Sequence, residues 1–270
     1  MSWLVVARKD FEDAIRSRWL LGLTALFVGL VSLIAALSLP PEGQTVGTNA
    51  VLSGGFVSLL SGTLAPLIAL VIAYNAVTGE RKSGSLKLLL SLPHSRGDVV
   101  FGKVAGRSAA LSTAIIVGFI VPAVIFAFGP LRLDIVTYVG YTLLVALLVS
   151  VFVAIAVGWS AAAPSQRIAL AGAIGLYFLF VPFWDFIRIP LQLALGSLPE
   201  WVPLSAAAIS NALFILNPAS AVQGLTAALL SGQFLSGETA GLQVSAISML
   251  LVWLLAAPLV GLVVFQRRDL

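Results

Sequence analysis

Long apolar runs constrain this chain more than any motif does. Apolar residues dominate stretches near 20–39, 56–77, 106–128, 136–161, 168–190 and 244–265, and each approaches or exceeds the roughly 18 to 20 residues that cross a bilayer as helix. Six spans are therefore expected. With 60% apolar and 10% charged residues, the chain has too little charge to cover a soluble domain of this length. An outer-membrane barrel would show segments of about ten residues with alternating hydrophobicity instead of continuous runs. The sequence reads as an all-α polytopic membrane protein with one transmembrane domain over residues 1–270.

The basic residues fix an orientation. Arg8, Lys9, Arg16 and Arg18, then Arg81, Lys82, Lys87, Arg96, Lys103 and Arg107, then Arg167, and finally Arg267 and Arg268 fall on one side of the six-span arrangement, whereas Arg132 and Arg188 fall on the other. Positively charged loops resist translocation. Both termini and the segment 78–105 are thus expected in the cytoplasm, with 20–77 carrying spans one and two, 106–190 spans three to five, 191–243 an external segment and 244–270 span six with a cytoplasmic tail. The net charge of +4 is spent flanking membrane segments, so nucleic-acid binding is not indicated. The chain contains no cysteine and one histidine, His94, which rules out disulfides and thiolate metal sites.

Residues 1–19 combine seven charges with Phe11, Ile15 and Trp19 at four-residue spacing, the pattern of an amphipathic helix lying in the headgroup plane. A cleaved signal peptide is the competing reading. The charge density and the lack of a small-x-small cleavage site disfavour it. Leu204 to Leu216 is too short for a span and is closed by Asn217-Pro218, so it is expected as an external re-entrant or interfacial helix, with Gly224 to Gly241 as an exposed connection. Small residues recur at four-residue spacing in Gly102/Gly106, Ala154/Gly158/Ala162 and Ala171/Gly175. Such spacing lets helix backbones approach closely.

Between the second and third apolar runs lies a short amphipathic island, Gly79 to Pro93. Ser83 can cap a helix starting at Gly84, with Leu86, Leu89, Leu90 and Pro93 on or near one side and Pro93 forcing an end. An island of this kind suits docking to a soluble partner. Its alternative is a solvated loop. Nearby, Gly97-Asp98-Val99-Val100-Phe101-Gly102-Lys103 imitates a phosphate-binding loop, yet Val104 stands where a hydroxyl would hold magnesium. No ATP or magnesium site is expected on this chain.

Glu80 followed by Ser-Gly-Ser-Leu-x-Leu-Leu-Leu-Ser-x-Pro, then Ser95-Arg96 and Gly102-Lys103, resembles the signature loop of ABC-2-type transporter membrane subunits. Ala7-Arg8-Lys9-Asp10-Phe11 and Phe265-Gln266-Arg267-Arg268 resemble that family's ends, so the resemblance covers nearly the whole chain. Within the family, Ala7-Arg8-Lys9 through Arg18-Trp19-Leu20-Leu21, Pro66-Leu67-Ile68-Ala69-Leu70 through Ala73-Tyr74, and Trp184-Asp185 look similar to the membrane subunit of the transporter that assists copper-site assembly in nitrous-oxide reductase. The resemblance implies a permease subunit in the cytoplasmic membrane that pairs with a second copy of itself. It also implies a coupling helix, about Ser83 to Leu92, docked on a separate ABC ATP-binding subunit that carries ATP and magnesium. By position, Leu86, Leu89 and Leu90 would be knobs in an ATPase groove, with Ser83 as cap, Pro93 as stop, and Glu80, Arg81 and Lys87 making polar contacts at the rim.

Candidates for a pathway, or for contact with an external accessory protein, are Asp185, Arg188, Tyr74 and Asn75. Their plainer readings are a local headgroup-level ion pair and ordinary interface anchoring, and Trp159 reads as an anchor too. Two functional alternatives stand beside the permease. An intramembrane enzyme lacks residues, since the spans hold one Asp and no His. A membrane scaffold or mechanotransmitter, anchoring an ATPase and an external partner without moving cargo, would use the same docking helix and bundle.

Overall fold

The computed structural model describes residues 2–38, 46–54, 60–91, 94–128, 131–196 and 206–268. These are almost entirely helical. The helices are α1 (Ser2–Ile15), α2 (Arg18–Leu37), α3 (Thr48–Leu52), α4 (Ala65–Ala73), α5 (Thr78–Ser83), α6 (Ser85–Ser91) and α7 (Arg96–Phe128). They continue with α8 (Ile135–Ala162), α9 (Gln166–Phe180), α10 (Trp184–Gly196), α11 (Ala206–Leu216), α12 (Pro218–Leu230) and α13 (Ala240–Gln266). A two-residue parallel pairing joins β1 (Val46–Gly47) to β2 (Leu131–Arg132).

Five stretches among the described residues are long and apolar enough to cross a membrane: Arg18–Leu37, Gly62–Ser83, Arg96–Phe128, Ile135–Ala162 and Ala240–Gln266. They correspond to the expected spans one to four and six, with three corrections. The second runs about six residues past its expected end, to Ser83, and carries Glu80, Arg81 and Lys82 there, which helix can accommodate because Glu80 and Arg81 bond inward. The third starts at Arg96, making α7 about 50 Å long at 1.5 Å per residue. Residues 78–105 are therefore mostly helix and not loop. The fifth expected span is broken: α9 and α10 meet at 45°. Pro182 lies in the break, where it removes an N–H donor and disfavours helical geometry at Val181.

The centre of the bundle is α8. Its most apolar 18-residue window is 78% buried, against 17 to 44% for the other four long stretches. Its neighbours are α4, α7, α12 and α13. The closest approach is to α13, where Gly158 faces Gly261 beside Pro258; a Cβ on Gly261 would run into the Gly158 backbone, and one on Gly158 into the Ala257 carbonyl. That repeat is helix-packing surface inside one chain. Gly175, by contrast, has open space around its Cβ position.

Expected as an exposed connection, Gly224 to Gly241 is instead helical to Leu230. Asn217 caps α12 through its Oδ1, which accepts from Ala219 and Ser220, and Pro218 occupies the first turn. Ala221, Val222 and Leu225 then bury their side chains. The helix at Ala206–Leu216 is present as expected and meets α12 at 103°.

The N-terminal helix stops short of Trp19. Val6, Ala7 and Asp10 point inward, Phe11 is only partly buried, and Trp19 is 78% exposed. The chain breaks at Ser17, which is extended, so Trp19 belongs to α2 and its spacing from Phe11 and Ile15 has no meaning within one helix.

Candidate functional site

The amphipathic island forms two short helices and not one. Gly84 adopts a left-handed backbone at φ 79° between α5 and α6, a conformation glycine takes without steric cost. Ser83 is consequently the last residue of α5 and not a cap; its Oγ bonds the Glu80 carbonyl and lies 2.9 Å from Ser85 Oγ. Leu86 is buried within the chain's own core at 1% exposure, whereas Leu88, not singled out from the sequence, is 72% exposed. Leu89 and Leu90 pack partly against the core. Lys87 is exposed. Leu92 and Pro93 lie outside the described residues.

Three anchors hold this segment. Ser160 Oγ on α8 accepts from the backbone N–H groups of Val77 and Thr78 at 3.1 and 3.3 Å. Arg81 donates to the Ala163 carbonyl at 2.9 Å and sits over the Phe265 ring, which Arg96 also approaches. Arg96 in turn bonds the carbonyls of Phe265 and Arg268. The third anchor is ionic: Glu80 Oε1 accepts from Lys103 at 2.7 Å, Lys103 reaches Asp10 at 3.2 Å, and Asp10 accepts from Arg107 at 3.1 Å. Two carboxylates and two cations balance. α1, α5 and α7 are thereby joined in one buried network, in which the surrounding low dielectric strengthens each paired contact.

Gly102 and Gly106 seat α1 on α7. A Cβ at Gly102 would lie 2.7 Å from Val6 Cβ, and one at Gly106 would lie 3.0 Å from Asp10 Cβ. The phosphate-loop look-alike is thus helical surface under α1, and its lysine is already committed. His94 is half-buried just before α7, its Nδ1 shielded and without a partner among the described residues, and is not the solvated side chain its loop position suggests.

At the far end of the bundle a cavity of about 850 Å³ opens between the broken α9–α10 and the bent α11–α12. Asp185 and Arg188 line it together with Tyr141, Trp184, Phe214 and Gln223. The two form an ion pair of 2.9 Å. Tyr74 instead lines a second cavity at the opposite end. Asn75 faces Arg107, 3.5 Å away, and lines neither.

The profile described as ABC-2 family transporter protein matches residues 4–270. The chain belongs to the ABC-2 transporter family. This permease is 32% identical over 279 residues to the "Probable ABC transporter permease protein NosY" of Stutzerimonas stutzeri, covering 97% of each chain. It is also 31% identical over 287 residues, covering 98% of each, to the protein of the same name from Pseudomonas aeruginosa. Membership makes it a multi-pass membrane subunit of an ABC transporter and implies an ATP-binding partner subunit.

Sequence reading of the permease missed Asp10, Lys103, Arg107, Ser160 and Asn217 as interior residues. For Asp10 a signal existed: it follows Val6 and Ala7 at helical spacing, and the small-residue pair Gly102/Gly106 announces a helix packed closely on α7. Asn217 gave its turn chemistry but not its second task. Its Nδ2 donates to the Phe180 carbonyl at 2.7 Å, at the broken end of α9.

Proposed function

We propose that this permease couples a separate ATP-binding subunit to its own bundle through residues 78–91, with the basic end of the molecule in the cytoplasm. The observation that carries the reading is mechanical. Lys87 and Leu88 point outward from α6, while Thr78, Glu80, Arg81 and Leu86 bind the same segment to α1, α7, α8 and the end of α13. A push on the outer face would reach four elements through short bonds and packed side chains, without first compressing a flexible loop. The cation count at that end supports its cytoplasmic placement.

In this reading two copies of the chain form the pathway, transport runs outward, and the ATPase chemistry stays on the partner. Asp185 and Arg188 would meet cargo or an external accessory protein at the far cavity. The likeness to the copper-site maturation transporter extends the proposal to assembly of a copper enzyme.

The test is co-purification of the tagged permease with its ATP-binding subunit, followed by ATP hydrolysis in proteoliposomes. Leu88→Asp is expected to fold, lose the partner and abolish permease-stimulated hydrolysis, because it sets a charge in an apolar groove. Full retention of partner and hydrolysis by that variant would overturn the proposal. Hydrolysis without any cargo crossing would favour the scaffold alternative.

A further inference from the structure

We propose that the cavity at the basic end is a binding site for the phosphodiester headgroup of an anionic phospholipid from the adjoining leaflet. The cavity measures about 660 Å³ and lies between the α5 end of the second span and the start of α9. Arg81, Lys82 and Arg167 line it, and no acidic residue does. The one carboxylate near in sequence, Glu80, is turned away to Lys103.

The donors are available. Lys82 and Arg167 are exposed, while Arg81 spends Nη1 on the Ala163 carbonyl and holds Nε and Nη2, which lack an acceptor, in the buried wall behind them. Arg81 and Arg96 crowd one ring at Phe265, so an anion beside them also relieves like-charge repulsion. Ser165 Oγ accepts from Ile168 N–H as the cap of α9, which leaves its hydroxyl proton to donate.

Chemistry selects a lipid over a free anion. Leu170 lines the cavity, and the apolar stripe Leu170, Ile174, Phe178 continues from it along α9 at 41, 50 and 42% exposure. Cations at the mouth and an exposed apolar track beyond suit a headgroup followed by an acyl chain. Trp159, whose indole N–H bonds the Ile168 carbonyl, marks the same level as a membrane interface. Basic pockets between span ends on the cytoplasmic side are known to take such headgroups. Because Thr78, Arg81 and Lys82 belong to the proposed coupling segment, a bound lipid would steady that segment against α9.

This inference rests on the cytoplasmic placement proposed above and not on ATPase docking. The test is native mass spectrometry of the intact permease titrated with dioleoylphosphatidylglycerol or dioleoylphosphatidylcholine in mixed micelles, with sodium phosphate as competitor. One retained phosphatidylglycerol, preferred over phosphatidylcholine, is expected. At about fivefold per basic side chain, Lys82→Gln with Arg167→Gln should weaken it about 25-fold, and Lys82→Arg with Arg167→Lys should restore it. Equal retention of both lipids, or of phosphatidylglycerol by wild type and the glutamine variant, would overturn the site. Displacement by phosphate alone would reassign it to a free anion.

Discussion

Glu80 Oε1 lies 2.7 Å from Lys103 Nζ, with the lysine side chain only 3% exposed. This bond ties the segment proposed to face the ATPase to the longest helix of the bundle, and through Asp10 to the N-terminal helix. Removing the lysine leaves Glu80 without its cation and Asp10 with Arg107 alone. Lys103→Met is expected to cost about 3–5 kcal/mol, while Lys103→Met combined with Glu80→Gln, which keeps the Asp10–Arg107 pair, costs less than the single change. Thermal unfolding in detergent across these variants measures it. A double variant less stable than Lys103→Met would contradict the account.

Docking of α1 depends on two missing side chains. Gly106→Val places carbon where the Asp10 Cβ and the Phe11 amide already sit, near 3 Å, so α1 should lift from α7. A cysteine replacing Val6, now 4% exposed, should resist maleimide labelling in the parent and react in the Gly106→Val background. Protection in both would show that α1 tolerates the intrusion.

Asn217 closes two open ends at once, the N-terminus of α12 and the last carbonyl before the break in α9. Asn217→Ala is expected to destabilise by about 1–3 kcal/mol, from the lost cap and the unsatisfied Phe180 carbonyl. Asn217→Asp keeps the cap but cannot donate, and should recover only part of that loss in the same unfolding measurement.

The leucines of α6 separate packing from docking. Leu86→Ala should cost about 2–5 kcal/mol as a cavity in the core, whereas Leu88→Ala should change stability by no more than about 0.5 kcal/mol. Melting temperatures that rank the two the other way would reverse their assigned faces.

Asp134 gives a pH signature at the opposite end. The Thr137 hydroxyl, with the Thr137 and Val136 amides, holds its carboxyl below the ordinary value. Its folded pKa lies under its unfolded one, so its stabilising contribution is complete above the unfolded value and disappears as pH falls through the folded value. Comparing melting temperatures of the parent and Asp134→Asn through that acid range should show the difference between them shrinking as pH drops. A constant difference would remove the cap from the account.

Much of this molecule was legible before any coordinates. Length and apolarity of the runs dictate helices because lipid leaves the backbone no other partner, and the cation distribution gives the two ends different characters. Asn217-Pro218 marks a turn by its own backbone chemistry, whereas the break at Pro182 is hidden in an apolar run that reads as one span. Even the Gly102/Gly106 and Ala154/Gly158 repeats announce close helix contacts. Periodicity within one helix, however, cannot name the surface that helix will meet.

That choice was made by the tertiary structure. Leu86 and Leu88 are equally apolar in sequence, and only the left-handed turn at Gly84, together with the anchors at Glu80 and Arg81, decides that one enters the core and the other faces out. Lys103 and Arg107 look like flanking charges of a third span; they become interior residues because α1 brings Asp10 across α7, nearly a hundred positions away in the chain. The sequence by itself determined helices, the turn at Asn217-Pro218 and the charged end, since those follow from local backbone chemistry and transfer to lipid. Which charges are paired and which apolar faces are free depended on long-range packing, where burial energies are settled between segments and not within them.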